Sequence, residues 1–438
     1  MTTSHQGQVT GRRPRGAALL VVMVTVALVT ALAMDLAYQA RVGLQIAANG
    51  RDELVALAQA RGAVSLARLV LHFQSQLDAQ AAATSTVAGQ LGGTAGAAAS
   101  VMPRIQVWKL VPVDSLLVAN LFPEGAGRGP GARSARAAGT ASGRAAADEV
   151  PASQAGKGPA PGRFSATIDD EDRKVNVQLD ALEQGGLLAA QLASFMALVA
   201  DRRWDPLFER EDANNVKLNR NELAAALKDW VDDDQQQSAL TGLPARPFEK
   251  GFGDENYLYD RGPDRYKAKN ARFDSLQELF MVAGFSDLHM AAFGERITIY
   301  PARGSQMNVN AEDGVELLRN ARIMADPPLQ PIFSDPTFPD RLFEAVKLVR
   351  LGGLLTMSPQ QFAATLESLG VGVHPDYTRQ QNIDRRGAFT DRSYVFRIRG
   401  QGTAGAVVKN IEAVVSFEPS QAGMEVSLLG RAIHWSEE

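Results

Sequence analysis

The chain of 438 residues has no cysteine and only 5 histidines. Without cysteine there is no disulfide, no thiolate nucleophile and no cysteine metal site. That suits an oxidising compartment as well as a reducing one. A histidine-rich metal site is a poor expectation for the same reason of scarcity. Strong positive charge is also missing: 45 Lys+Arg stand against 49 Asp+Glu, a net charge of -4. A general nucleic-acid binder would carry a basic balance. No GxxxxGK[ST] phosphate loop occurs. None of the histidines sits in a recognisable nucleophile motif, so no Ser-His-Asp set is visible. The expectation is a protein that is not an enzyme. Its length allows two or three domains, and 45% hydrophobic residues are enough to bury a core.

What the chain does have is one long apolar run near its start. Arg12, Arg13 and Arg15 precede residues 17–34, AALLVVMVTVALVTALAM. As a helix this run is about 27 Å long, close to one hydrocarbon thickness. The arginines should stay cytoplasmic and the rest of the chain should lie outside. A secretory signal has a shorter apolar core and a small-x-small cleavage site. Here the pattern continues instead as helix-compatible sequence with apolar residues at Leu36, Leu44, Leu54, Leu57, Val64, Leu66 and Leu69. Gly43, Gly50 and Gly62 weaken it locally. The reading is one long helix, lipid-facing first and amphipathic afterwards, ending near residue 80.

Beyond it, residues 79–100 are Ala/Gly/Ser/Thr-rich and read as a frayed helix or linker. RIQVWKLVPV (104–113) reads as a strand. Residues 123–162 hold almost no large apolar side chain and read as a disordered loop. FSATIDDEDRKVNVQL then reads as a hairpin, with strands at 164–168 and 174–179 and a solvated acidic turn between them. Residues 185–376 are mostly helical. Within them SPQQFAATLESLG carries Ser358 as N-cap, Pro359 at the first helical position and Gly370 past the end. The segment FDSLQELFMVAGFS, with Leu276, Leu279, Val282, Gly284 and Phe285, is similar to a helix-hairpin-helix turn, and a packing role is expected for it. SYVFRIRG alternates cleanly, and two longer strand patterns follow it, giving an antiparallel meander at the carboxyl end.

The stretches KDWVDDDQQQ and GFGDENYLYD place Asp229, Asp232, Asp233, Asp234, Asp254 and Glu255 close in sequence. Six to eight hard oxygens on flexible loops are what Ca²⁺ takes. The spacing is not an EF-hand. The plainer reading is a solvated helix end, although an acidic run at a helix carboxyl terminus opposes the helix dipole.

A basic leader, Gly16, and an unbroken apolar helix starting at Ala17 resemble type IV pilins and pseudopilins. In those families a prepilin peptidase cuts after the glycine and the helix is retained. Most members carry Glu at the fifth mature position, which here is Val21. A carboxylate in lipid needs a compensating cation, so a subunit without it suits a filament end. With Asp170, Glu171, Lys174 and Asn176, the D-W-x-D-x-D stretch at Asp229, Trp230, Asp232 and Asp234, and the segment Asn308, Val309, Asn310 and Ala311, the order of features resembles K-type minor pseudopilins of type II secretion systems. The resemblance implies an α+β fold, a pilin-like long amino-terminal helix and small antiparallel sheet with a large helical domain inserted between strands. It divides the chain into a leader (1–16), a stem (17–80), linker, loop and first strands (81–184), the insertion (185–376) and final strands (377–438). It implies cleavage between Gly16 and Ala17, structural calcium held among Asp232, Asp234, Asp254 and Glu255, and Asn256 where the family usually has Asp. It implies partners of the I and J types, a single-pass place in a bacterial inner membrane with the carboxyl-terminal part in the periplasm, and no nucleic acid. A membrane-anchored helix-hairpin-helix DNA-uptake protein is the rival, which should be basic outside the stem.

Overall fold

The computed structural model describes residues 15–90, 104–121, 162–179, 187–212, 215–243, 246–260, 265–301, 306–378, 389–417 and 430–437. The expected leader and the expected loop at 123–162 fall almost wholly outside these residues. So does the second part of the expected linker.

Helix α1 (Arg15–Gln90) is a single rod of 76 residues, about 110 Å long at the usual rise. It runs ten residues past the expected end at residue 80, because the Ala-rich sequence there favours helix. The strands are β1 (Val113–Asp114), β2 (Arg163–Asp170), β3 (Val175–Asn176), β4 (Gln236–Leu243), β5 (Arg246–Asp254), β6 (Ile297–Thr298), β7 (Met307–Asn308), β8 (Phe389–Thr390), β9 (Val395–Ala404), β10 (Val407–Ser416) and β11 (Arg431–Glu437). Five of them form one antiparallel sheet in the order β1-β2-β9-β10-β11. The fold is therefore α+β, with the meander β9-β10-β11 where alternation placed it.

One face of this sheet lies on the stem. Ala56, Ala60, Val64, Ala67 and Leu71 recur at helical spacing and are buried against Phe396, Ile398, Ile411 and Ala413. The approach is close because β9 offers glycines at the crossing. A Cβ on Gly402 would sit 2.0 Å from the Ala56 carbonyl oxygen, and one on Gly400 would sit 2.9 Å from the Ala60 oxygen. The run GQGTAG at 400–405 matches the spacing of a dinucleotide loop. Here it is the end of a strand and its hairpin, with Gly405 at φ +57° in the turn.

The expected strand at 104–113 forms only in part. Ile105 makes an isolated bridge, Val107–Leu110 is a helical turn, and β1 is two residues long. Gln74 of the stem accepts from the Val107 amide at 2.7 Å. The turn drops Trp108 edge-on to Phe396, with ring centroids 5.6 Å apart.

Between β2 and β9, neighbours in the sheet, lies the inserted helical domain. Its main helices are α2 (Leu187–Val199), α3 (Arg220–Val231), α4 (Asp287–Phe293), α5 (Gly314–Met324), α6 (Phe338–Val349) and α7 (Pro359–Ser368). One core gathers α2, α3 and α4 around Phe195, Leu223, Leu227 and Phe293. A second gathers α5, α6 and α7 around Leu317, Phe338, Leu342 and Phe362. α7 has the expected ends: Ser358 caps it by accepting from Gln361, and Gly370 has φ +88°. The expected helix-hairpin-helix turn is a 3-10 helix, Leu276–Met281, followed by α4. Gly284, at φ +78°, packs on Leu218.

The expected hairpin at 164–179 is corrected. β2 pairs with β1 and β9, whereas β3 leaves the sheet and pairs in parallel with β6. The acidic stretch between them is not a solvated turn. Asp170, Glu171 and Asp172 are 2%, 0% and 3% exposed. Asp172 accepts from the Tyr394 and Val395 amides at 2.6 and 3.0 Å, completing the start of β9. Glu171 meets Lys174 at 2.7 Å, Arg397 at 2.6 Å and the Thr298 hydroxyl. Burial alone would raise its pKa, but the two cations hold it below the ordinary value. Asp170 accepts from Ser393 at 2.5 Å and Asn308 at 3.1 Å, and burial pushes it up to about 6. These carboxylates join the sheet to the inserted domain.

Candidate functional site

The stem divides sharply in its surroundings. From Leu19 to Met34 every large apolar side chain is exposed, Val21 among them. This stretch is long and apolar enough to cross a membrane. Gly16 and Ala17 lie in the first turn of α1. The first buried stem residue is Ala56, where the sheet begins to cover the helix.

The acidic residues form a second candidate site. α3 begins with a capping box between Asn219 and Glu222 and ends at Val231, where Asp232 leaves the helix extended. An acid at that end faces unpaired carbonyls. Lys228, one turn back, answers it, with Nζ 3.1 Å from Asp232 Oδ2. The hairpin of β4 and β5 pairs Gln236 with Asp254 and so brings the second acidic stretch alongside the first. The sequence reading did not foresee this hairpin. Asn270 also went unforeseen. Its amide donates to the Asp234 carbonyl, and as a lone Asn in an irregular stretch it carried no signal.

Asp229, Asp232, Asp234 and Glu255 are thus brought together. Asp254 points elsewhere, capping the 3-10 helix Glu255–Leu258 by accepting from the Asn256 amide at 2.9 Å. Asp233 is exposed. Asp234 pairs with Lys250 at 2.8 Å, which holds its pKa down. Burial, then repulsion from Asp232 and Glu255, pushes Asp229 up to about 7, against the Ser238 amide at 2.8 Å. Burial, then the charges of Asp232, Asp234 and Asp254, pushes Glu255 up to about 7, although the nearby Asn270 side chain counters part of this. Asp232 is raised by burial despite Lys228. Asp232 Oδ1, both Glu255 carboxylate oxygens and Asn270 Oδ1 are buried with no hydrogen-bond partner. Orphaned hard oxygens among carboxylates that repel one another are the donor type a divalent cation takes, and its charge would offset that repulsion once they are deprotonated. Among the described residues no three acidic, His or Cys side chains stand close enough together to hold a metal ion.

No family model matches the chain, and no curated protein matches it. Among solved structures it is similar to a chain of the crystal structure of the GspK-GspI-GspJ complex from the enterotoxigenic Escherichia coli type 2 secretion system. The identity is 13%, the match covers 64% of this chain and 84% of that one, and the TM-score is 0.38.

Proposed function

We propose that the chain is a K-type minor pseudopilin, a non-enzymatic subunit at the tip of a short periplasmic pseudopilus that helps start assembly and export folded proteins. The observation that carries the reading is α1. One continuous helix leaves an uncovered apolar half, then docks a small-residue half onto an antiparallel sheet. In this reading a prepilin peptidase cuts between Gly16 and Ala17, the apolar half anchors the subunit in the inner membrane, and the rest lies in the periplasm. I- and J-type minor pseudopilins pack beside the stem. Val21 puts no carboxylate in lipid, so no neighbour's amine is needed there. A bulky domain inserted between β2 and β9 crowds a tightly packed shaft but not its end. Immunogold labelling of assembled fibres tests this: label at one end supports the reading, and label along the shaft overturns it.

Calcium belongs to the same proposal. Asp232, Asp234 and Glu255, with the Asn270 side-chain oxygen, are the residues that would hold it. Asp254 would have to give up its capping bond to join them. Lys250 would have to release Asp234 before the oxygens could gather. The ion would staple the β4–β5 hairpin to the end of α3 by binding only the folded arrangement.

A further inference from the structure

The face of the sheet turned away from the stem forms a cleft with no role in the assembly reading. Period-two alternation and the strand register put Thr167, Arg399, Glu412 and Ser436 in one row across it. Ser165, Gln401 and Asn410 form the next row. A polar outer face is ordinary for an antiparallel sheet. This one is overhung by the inserted domain, whose Leu276 and Tyr300 help enclose about 720 Å³ between the two bodies. That volume lies within the range of small-molecule sites, which favour domain junctions.

The chemistry of the walls narrows the occupant. Charge is spent internally: Arg397 lies between Glu171 at 2.6 Å and Glu412 at 2.5 Å, and Arg399 lies 3.2 Å from Glu412. Both arginines that face the cleft thus have a carboxylate partner, which weakens their draw on a phosphate. Aliphatic side chains are few on the wall, with Leu276 partly covered and Ile411 buried, so a lipid tail finds no continuous apolar groove. The central floor strands β9 and β10 are paired along both edges, so an extended peptide cannot add to them as a strand. Hydroxyls remain: those of Ser165, Thr167, Tyr300 and Ser436 have no hydrogen-bond partner among the described residues, and Asn410 uses only its oxygen, accepting from Gln401 at 3.2 Å. The Tyr300 and His434 rings stand 6.1 Å apart at one side, an aromatic wall for the C–H face of a ring. We propose that the cleft binds a neutral oligosaccharide, its hydroxyls paired with these side chains and one pyranose face against Tyr300.

The test uses the full chain in lipid nanodiscs, free of glycoside detergent. Chitotetraose, maltotetraose and cellotetraose are titrated at about 1–10 mM, a range that detects weak sites, with saturation-transfer NMR as the readout. At least one tetrasaccharide should bind. Tyr300→Phe and the exposed-site variant Asn410→Ala should each weaken it about tenfold, the loss expected for a hydrogen bond to a neutral ligand, with unchanged melting temperatures. No signal from any of the three, or binding unaltered in both variants, overturns the proposal. So does preferential binding of a Ser/Thr-rich peptide or of polyphosphate. None of these outcomes bears on where the subunit sits in a fibre.

Discussion

Replacing Gly402 with alanine should lift the stem from the sheet. The added Cβ would sit 2.0 Å from the Ala56 oxygen and 2.5 Å from the Ala60 nitrogen. Both are backbone atoms of a continuous helix and cannot swing aside as a side chain can. Restoring ordinary contact needs a withdrawal of about 1.5 Å, and a gap of that size forfeits half or more of the attraction at each contact it opens. The contacts at risk are those of Ala56, Ala60 and Val64 on β9 and β10. Overpacking of this kind costs about 1–3 kcal/mol, and the rigid clash points to the upper end. At about 2.1 cal/mol/K of unfolding entropy per residue, a folded unit of more than about 250 residues then loses about 3–5 °C in melting temperature. Gly43→Ala is the control: nothing lies within 4 Å of that Cβ, so it should stabilise the helix by up to about 1 kcal/mol. Thermal melts and limited proteolysis of the full chain in nanodiscs read both. Equal melting of Gly402→Ala and the parent, with the stem equally protected, would refute the packing described.

The ionic junction gives a second expectation. Glu171→Gln leaves Lys174 and Arg397 buried, each with one remaining carboxylate, Asp169 and Glu412, and should cost about 3 kcal/mol; a melting shift under one degree would contradict it. Asp170 has its folded pKa raised to about 6, so its protonated form favours the fold at low pH, and that contribution is lost as pH rises from about 4 through 6. Asp170→Asn should flatten the pH dependence of melting across that window, and an unchanged profile would count against the burial assigned to it. Calcium should raise the melting temperature and a chelator lower it, with Asp232→Asn and Glu255→Gln removing the response. The response should weaken as pH falls below about 7, where Glu255 takes up its proton. No difference between loaded and chelated protein would remove the ion from the account.

How much of this was legible beforehand depended on whether the signal was local. The stem shows in sequence because apolar run and helical spacing need no distant partner. β9 shows because Val395–Ala404 begins with clean alternation, and α7 because its cap and its glycine are adjacent to it. The buried carboxylates did not show. A run such as DDEDR looks the same in water as in a core, and its partners Ser393, Tyr394 and Arg397 lie more than 220 residues away. The β4–β5 hairpin was missed because its Gln- and Gly-rich strands lack an apolar face. The acidic residues were visible as a group, but only the hairpin decides that Glu255 joins Asp232 and Asp234 while Asp254 turns to its capping bond.

The most direct measurement is the intact mass and terminal sequence of the mature chain recovered from the membrane of cells that contain a prepilin peptidase. The account predicts a first residue of Ala17, with the apolar half of α1 retained. A chain that still begins at Met1, or one shortened to about residue 34, would contradict it.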